Sequence, residues 1–238
     1  MRAIILAAGR GKRMESFTAE YPKCLLEVNG KALLDWQLQA IKEAGIVEVA
    51  IVTGYKREFL VDRRLTEFHN AAWNASNMVA SLKCASEWLM EDTCIISYSD
   101  IFYNTEAIEI LCDTNADLAI TYDRNWLNLW ERRFSDPLSD AESFKLGKEN
   151  FLVEIGKKAH SVKEIEGQYM GLLRFTPAAW EEAISILNEM PSQKAEVIQM
   201  TELLQKIIDR NRIPIKALPY TGEWGEVDFA EDLAVYEV

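Results

Sequence analysis

The stretch RAIILAAGRGKRM, Arg2 to Met14, decides the fold. Its first half, Ala3 to Ala8, is an unbroken apolar run closed by glycine, the pattern of a strand buried on both faces of a parallel sheet. Its second half is a turn with two glycines, Gly9 and Gly11, and three basic side chains, Arg10, Lys12 and Arg13. A packing turn needs glycine but not this charge, so the grouping calls for an anion. Glycines let backbone amides come close to phosphate oxygens, and Lys23 follows a short loop later, behind Pro22. Two common phosphate motifs do not fit. A dinucleotide fingerprint needs a third glycine where Met14 stands and then a helix, whereas ESFTAEYPK reads as a loop. A Walker loop needs Ser or Thr after its lysine, and Lys12 is followed by Arg13.

Outward from this stretch, strand and helix patterns alternate. KCLLEV reads as a short strand, and LLDWQLQAIKEAG as a helix with Leu34, Leu38 and Ile41 on one face, ended by Gly45. EVAIVTG is a buried strand, KREFLVDRRLTEF an amphipathic helix and NMVASLKCASEWL a second helix. CIISYSD is a strand, TEAIEILCDT a helix and DLAITYD a strand. This alternation predicts βαβ units around a parallel sheet. From Asn125 the pattern changes. ESFKLGKENFLVEIG predicts a hairpin turning at Gly147 to Asn150, and GQYMGLLRF a strand. PAAWEEAISILNEM and MTELLQKIIDRN predict helices, IPIKALPY a late strand and EDLAVYEV a closing helix. With no repeat and no Gly/Ser linker, the expectation is one domain over 1–238. The change of pattern at Asn125 divides that domain into two halves, 1–124 and 125–238.

Composition narrows the partners. The net charge of −12, from 38 acidic and 26 basic residues, argues against a nucleic-acid or anionic-membrane surface. A local basic pocket for a small anion is compatible with it. No apolar stretch approaches the ~18 residues of a membrane span, and the N-terminal run lacks the flanks of a signal peptide. Cys24, Cys84, Cys94 and Cys112 form no CxxC pair, and His69 and His160 stand outside zinc-ligand spacing. These features point to a cytoplasmic protein with reduced cysteines.

LAAGRGKRM followed by YPKCLLEVNGKALLDWQLQAI resembles the signature of the NTP-transferase-like nucleotidyltransferases, the superfamily of sugar-nucleotide pyrophosphorylases and cytidylyltransferases. The resemblance continues through VTGY, NASNMVASL, SYSD and EWGEVDF and covers most of the chain. It implies a Rossmann-like three-layer αβα fold with a mixed, mostly parallel sheet, and an Mg²⁺ cofactor. On that resemblance Asp100, ending IISYSD, and Asp228, in GEVDF, are the metal carboxylates. Read without it, Asp100 could be a helix N-terminal cap or a surface turn, and Asp228, taken alone, reads better as a cap on the final helix. Oxygen donors of this type suit Mg²⁺, which keeps waters and bridges phosphates. Arg13, Lys23 and Asp100 are the catalytic candidates, with Lys23 at the α-phosphate and Arg13 and Lys12 on the departing pyrophosphate. Leu6, Ala7, Ala8, Gly9, Gly11 and Gly54 would lie along the nucleotide, and Asn77 and Ser81 would read the base.

The second half, with NLWERRFSDPLSDAESFKL, EIGKKA and EIEGQYMGLLRF, is similar to the cytidylyltransferase branch that charges small phosphorylated or phosphonate compounds, such as phosphocholine, aminoethylphosphonate or phosphorylated glutamine. Glu166, Tyr98 and Trp224 are the acceptor-side candidates. Trp126 and Trp130 could join Trp224 in an aromatic wall, although tryptophans are more often core residues. The implied reaction is CMP transfer from CTP to such an acceptor with release of pyrophosphate. A sugar-1-phosphate enzyme using another NTP and a non-catalytic nucleotide sensor are the rivals, and homodimerisation is left open. The full set Arg13, Lys23, Asp100 and Asp228 speaks against the sensor, which has no need of both carboxylates.

Overall fold

The computed structural model describes residues 1–14 and 17–236, with Lys12 by its backbone alone. The strands in chain order are β1 (Arg2–Ala7), β2 (Glu27–Val28), β3 (Lys31–Ala32), β4 (Val49–Thr53), β5 (Thr66–His69), β6 (Cys94–Tyr98) and β7 (Ile101–Tyr103). They continue with β8 (Leu118–Asp123), β9 (Glu142–Leu146), β10 (Leu152–Lys158), β11 (Gln168–Phe175), β12 (Ile215–Tyr220) and β13 (Trp224–Glu226). Seven of them build the central sheet in the order β12-β8-β11-β6-β1-β4-β5. All neighbours run parallel except β11, which is antiparallel to both β6 and β8. The sheet is mixed and mostly parallel, as the sequence implies.

β1 lies in the interior of the sheet, between β6 and β4, because both of its faces are apolar. Ile4 and Ile5 are wholly buried, and each such side chain contributes about 1.5–3 kcal/mol by leaving water. The register Leu6↔Tyr98 aligns the carboxyl ends of β1 and β6. The chain therefore leaves β1 at Ala8 and β6 at Ser99 on the same edge, where ligands bind in sheets of this kind. The helix Leu33–Glu43 braces that edge with one residue. Gln37, fully buried, donates to the carbonyls of Tyr98 (2.9 Å) and Ile101 (2.6 Å) and accepts from Ser97 Oγ (3.1 Å). The turn that holds Asp100 is thus tied to a helix by a buried amide.

Most of the sequence reading holds, including the hairpin between β9 and β10 with Glu149 and Asn150 at positive φ in its turn. Four segments differ. KREFLVDRRLTEF is two short 3₁₀ turns, Arg57–Phe59 and Val61–Arg63, followed by the edge strand β5. The left-handed Arg64 (φ 56°) interrupts the helical periodicity of its apolar residues. NMVASLKCASEWL is two helices, Met78–Lys83 and Ser86–Glu91. KCLLEV is a 3₁₀ turn at Lys23–Leu25 leading into the two-residue strand β2, and the expected loop ESFTAEYPK contains the helix Phe17–Glu20, with Glu15 and Ser16 outside the described residues. Trp126–Arg133 is a helix. The closing helix runs Ala230–Tyr236, and Glu237 and Val238 also lie outside the described residues. No helix among the described residues is long and apolar enough to cross a membrane.

Candidate active site

Gly11 starts the site. Its φ of +66° is one that side-chain-bearing residues rarely adopt, and a Cβ there would stand 2.9 Å from Cδ of Lys23. The turn that follows β1 is thus shaped around the lysine stem. Its carbonyl accepts from Met14 N (3.0 Å) and Thr18 Oγ1 (3.1 Å), which closes the loop. Lys23 reaches inward from its own 3₁₀ turn. Its ammonium donates to Asp100 Oδ2 at 2.8 Å and to Asp228 Oδ1 at 2.9 Å.

Two chain segments bring those carboxylates together. Asp100 lies in the turn from β6 to β7, and β13 pairs antiparallel with β7, setting Glu226 opposite Ile101. Val227 N then donates to the Asp100 carbonyl (2.9 Å). One ligand oxygen each from Asp100, Glu226 and Asp228 falls within 4.8 Å of the others. Arg133, whose side chain has no exposure, backs this cluster. It contacts Asp232 Oδ2 at 3.0 Å, Glu226 at 3.1 Å and Asp228 Oδ2 at 3.6 Å. Asp232 in turn accepts from the amides of Asp228 (2.7 Å) and Phe229 (2.9 Å), fixing the segment that carries Asp228.

The charges shift one another. Burial works against the Lys23 ammonium, but Asp100 and Asp228 outweigh it and hold the group above its ordinary range. Burial likewise opposes the Asp228 carboxylate, and Lys23 and Arg13 keep it below the usual carboxylate range. Glu226 goes the other way: burial, reinforced by Asp228, pushes it up to about 8. Three convergent carboxylates suit a hard divalent cation. Asp100 Oδ1 is buried with no hydrogen-bond partner, an acceptor atom such an ion would satisfy. Asp100, Glu226 and Asp228 therefore fit Mg²⁺.

A cavity of about 360 Å³ opens from this cluster. Of the nucleotide candidates, Leu6, Ala8, Gly9, Gly11, Arg13, Lys23, Asn77 and Ser81 line it. Arg13 is steadied by Asp228 at 3.3 Å and by the Phe229 ring at 5.2 Å. Three other candidates sit differently. Ala7 is buried in the core. Gly54 lies one shell back, because a Cβ would strike the Ala8 carbonyl and Trp73 Cβ, both at 2.6 Å. It lets the backbone behind the cavity close up. The side chain of Lys12 falls outside the description. Arg10, basic but not on the cavity, stands over the Tyr55 ring.

A second cavity of about 230 Å³ adjoins the first, sharing Arg13, Met78, Tyr98, Asp100, Gln199 and Asp228. Of the acceptor-side candidates, Tyr98 lines both cavities. Glu166 and Trp224 line neither, which corrects two acceptor candidates. Glu166 is exposed and its Oε2 accepts from Leu146 N (2.5 Å), so it caps the end of β9. Trp224 is buried and its indole donates to Asp123 (3.0 Å). Trp126 and Trp130 are also core residues, so no aromatic wall forms from these three. The sequence reading missed Glu226, Gln199, Asp140, Glu142 and Tyr169. Glu226 had a signal, since it stands two residues before Asp228 at the end of a strand, where alternate residues share a face.

Fold and site define an NTP transferase, and the chain belongs to the MobA-like NTP transferase domain family, whose model matches residues 3–155. It is 36% identical to the CTP:phosphoglutamine cytidylyltransferase of Campylobacter jejuni, over 99% of this chain and 98% of that protein. Among solved structures it shares its fold with the inositol-1-phosphate CTP transferase from T. maritima (TM-score 0.77, 19% identity, 99% of this chain and 94% of that one). CTP:phosphocholine cytidylyltransferase from Streptococcus pneumoniae superposes with a TM-score of 0.70 at 20% identity, over 98% and 96% of the two chains. The protein is a nucleotidyltransferase of the cytidylyltransferase branch.

Proposed function

We propose that the protein transfers CMP from CTP to a small phosphorylated acceptor, with phosphorylated glutamine or a compound of similar size in that role. The supporting observation is the junction of the two cavities. Both open onto Asp100 and Asp228, so a nucleotide in one and an acceptor in the other meet at the same charged centre. The full-length similarity to a phosphoglutamine enzyme supports the acceptor class.

In this reading an acceptor oxyanion attacks the α-phosphorus of CTP. The new O–P bond forms as the bond to the bridging oxygen breaks, and the electron pair leaves with pyrophosphate. No protein nucleophile takes part, so catalysis consists of positioning and charge stabilisation. Lys23 turns its ammonium to the α-phosphate, where negative charge gathers from both sides. Arg13, exposed at the cavity mouth, holds the departing pyrophosphate. The amides of the Gly9–Gly11 turn line the triphosphate path. Mg²⁺ held by Asp100, Glu226 and Asp228 would supply neutralisation of the phosphate oxygens.

Base selection rests on Asn77 and Ser81. Ser81 Oγ accepts from Asn70 Nδ2 (2.9 Å), and Asn77 Nδ2 donates to the Val197 carbonyl (2.5 Å). The amide oxygen of Asn77 is the side left to meet a base. A carbonyl there welcomes the 4-amino group of cytosine and repels the 4-oxo group of uracil. The test is a matrix of CTP, UTP, GTP and dTTP against phosphorylated amines, phosphonates, sugar phosphates and phosphorylated glutamine, read by pyrophosphate release. CTP should lead with a small phospho-acceptor. A lead for GTP or dTTP with a hexose phosphate would replace this reading by the sugar-nucleotide one.

A further inference from the structure

A serine hydroxyl can give or take a hydrogen bond, and its neighbours decide which. At Ser81 the deciding neighbour is Asn70. This residue follows β5, is 4% exposed, and its backbone N–H donates to the Thr53 carbonyl (2.8 Å) at the end of β4. Its side-chain oxygen accepts from Ala72 N (3.0 Å). A backbone N–H can only donate, so this contact settles which end of the amide is oxygen. The Nδ2 group therefore faces two serines and donates to Ser76 Oγ (3.0 Å) and Ser81 Oγ (2.9 Å). Both of its hydrogens are engaged.

The two serines differ in where their own protons go. Ser76 Oγ donates to the Ala72 carbonyl at 2.9 Å. For Ser81 the carbonyl in reach is that of Asn77, at 3.5 Å, and it already accepts from Ser81 N (3.1 Å). That contact is at the outer limit of a hydrogen bond, so a ligand acceptor at ordinary distance would take the proton instead. Ser81 lines the nucleotide cavity, and so does Asn77, four residues earlier at the start of the helix Met78–Lys83. That spacing puts both on one face. The Asn77 oxygen and the Ser81 hydroxyl thus offer an acceptor beside a donor. Cytosine presents the complement, a 4-amino donor beside the N3 acceptor, whereas uracil presents a 4-oxo acceptor beside an N3–H donor.

We infer that Asn70 is a positioning residue for base selection, which holds the Ser81 hydroxyl as a donor to N3 of the pyrimidine by donating to its oxygen. Asn70 does not itself line the cavity and acts through Ser81. The role rests on the CTP reading of that cavity and adds the group that sets the polarity of its base-reading pair.

Asn70→Asp keeps the shape of the side chain but puts an acceptor oxygen where the N–H donors were. Ser81 then donates to the carboxylate and turns a lone pair toward the base, which suits the N3–H of uracil. Calorimetric titration of CTP and of UTP into the protein with Mg²⁺ reads the two Kd values. The parent should bind CTP at least ~10-fold more tightly than UTP, and Asn70→Asp should lower that ratio at least ~5-fold. The added negative charge weakens both triphosphates alike and cancels in the ratio. Ser81→Ala should lower the ratio by a similar factor, and Asn70→Asp added to Ser81→Ala should then change it by less than ~2-fold. A merely structural role for Asn70 would not depend on Ser81 in this way. If thermal melting shows that Asn70→Asp does not fold, Asn70→Ala removes the donor without adding charge, and the ratio should fall there too. A parent ratio kept in a folded Asn70 variant, or an undiminished effect of Asn70→Asp in the Ser81→Ala background, would overturn the inference while leaving CMP transfer in place. Equal Kd values for CTP and UTP in the parent would overturn the base-reading pair and the inference with it. Binding of neither nucleotide would overturn the functional reading itself.

Discussion

Replacing Lys23 with Met keeps most of the stem that packs on Gly11 and removes only the charge. In the parent that charge makes two short contacts, 2.8 and 2.9 Å, to Asp100 and Asp228. Removing one partner of a buried pair costs about 3–5 kcal/mol, because the remaining charge is left uncompensated. Here Asp100 keeps 22% side-chain exposure, and Arg13 and Arg133 still face Asp228, so the lower end applies. For a chain of this length about 3 kcal/mol corresponds to a fall in Tm of about 6–12 °C. Mg²⁺ should raise the Tm of the variant more than that of the parent, since the ion takes over the missing positive charge among three carboxylates. Turnover should drop about 100-fold or more, the scale for losing one preorganised charge-stabilising group. Thermal unfolding with and without Mg²⁺, together with pyrophosphate release, reads all three effects. A Tm within about 2 °C of the parent, or turnover within a few-fold, would refute the role assigned to Lys23.

Other perturbations probe neighbouring parts of the site. Glu226 is ordinarily ionised above about 4.5 but is pushed up to about 8 in the folded chain. The folded state therefore holds an extra proton across that window, and metal-free stability should fall as pH rises from about 5 to 8. Glu226→Gln should flatten that fall in Tm, and an equally steep profile would contradict the assignment. Gln37→Leu strips two carbonyls and Ser97 of their partner. It should cost about 3 kcal/mol in denaturant unfolding and lower kcat more than it raises KM for CTP, because the Asp100 turn loosens. An unchanged kcat would show that the turn is held without it. Burial pushes the thiols of Cys24 and Cys94 up to about 12, so at pH 8 a thiol reagent should modify exposed Cys84 first. Rapid loss of Cys24 or Cys94 in the folded protein, mapped by mass spectrometry, would contradict that burial.

The parts of the molecule legible in the sequence are those whose physics is local. Ala3 to Ala8 declares a buried strand by being apolar throughout, and Gly11 and Lys23 declare a phosphate loop by charge beside conformational freedom. Asp100 and Asp228 were reachable only through the resemblance of SYSD and EWGEVDF to the family's segments, since by local pattern alone each reads as a cap or turn residue. What was hidden depends on pairing at long range. Glu226 joins Asp100 only through the antiparallel pairing of β13 with β7, which no spacing in the sequence announces. Asp140 and Glu142 look like solvated charges, yet they line a cavity with Tyr169. Trp224 misled in the opposite direction, because an aromatic residue beside GEVDF reads equally as ligand wall or as core. Its indole is spent on Asp123. The β5 edge strand was missed because Phe59, Leu60, Leu65 and Phe68 mimic helical spacing until Arg64 turns left-handed.

The most direct measurement follows phosphorus in a single reaction. Protein, CTP, Mg²⁺ and the best acceptor from the panel are observed together by ³¹P NMR. CMP transfer requires pyrophosphate and a CMP-linked diphosphate ester to grow in equal amounts, with neither growing when Asp100→Asn replaces the parent. Formation of CMP or inorganic phosphate in place of the ester, or an Asp100→Asn enzyme as fast as the parent, would contradict transfer at this centre.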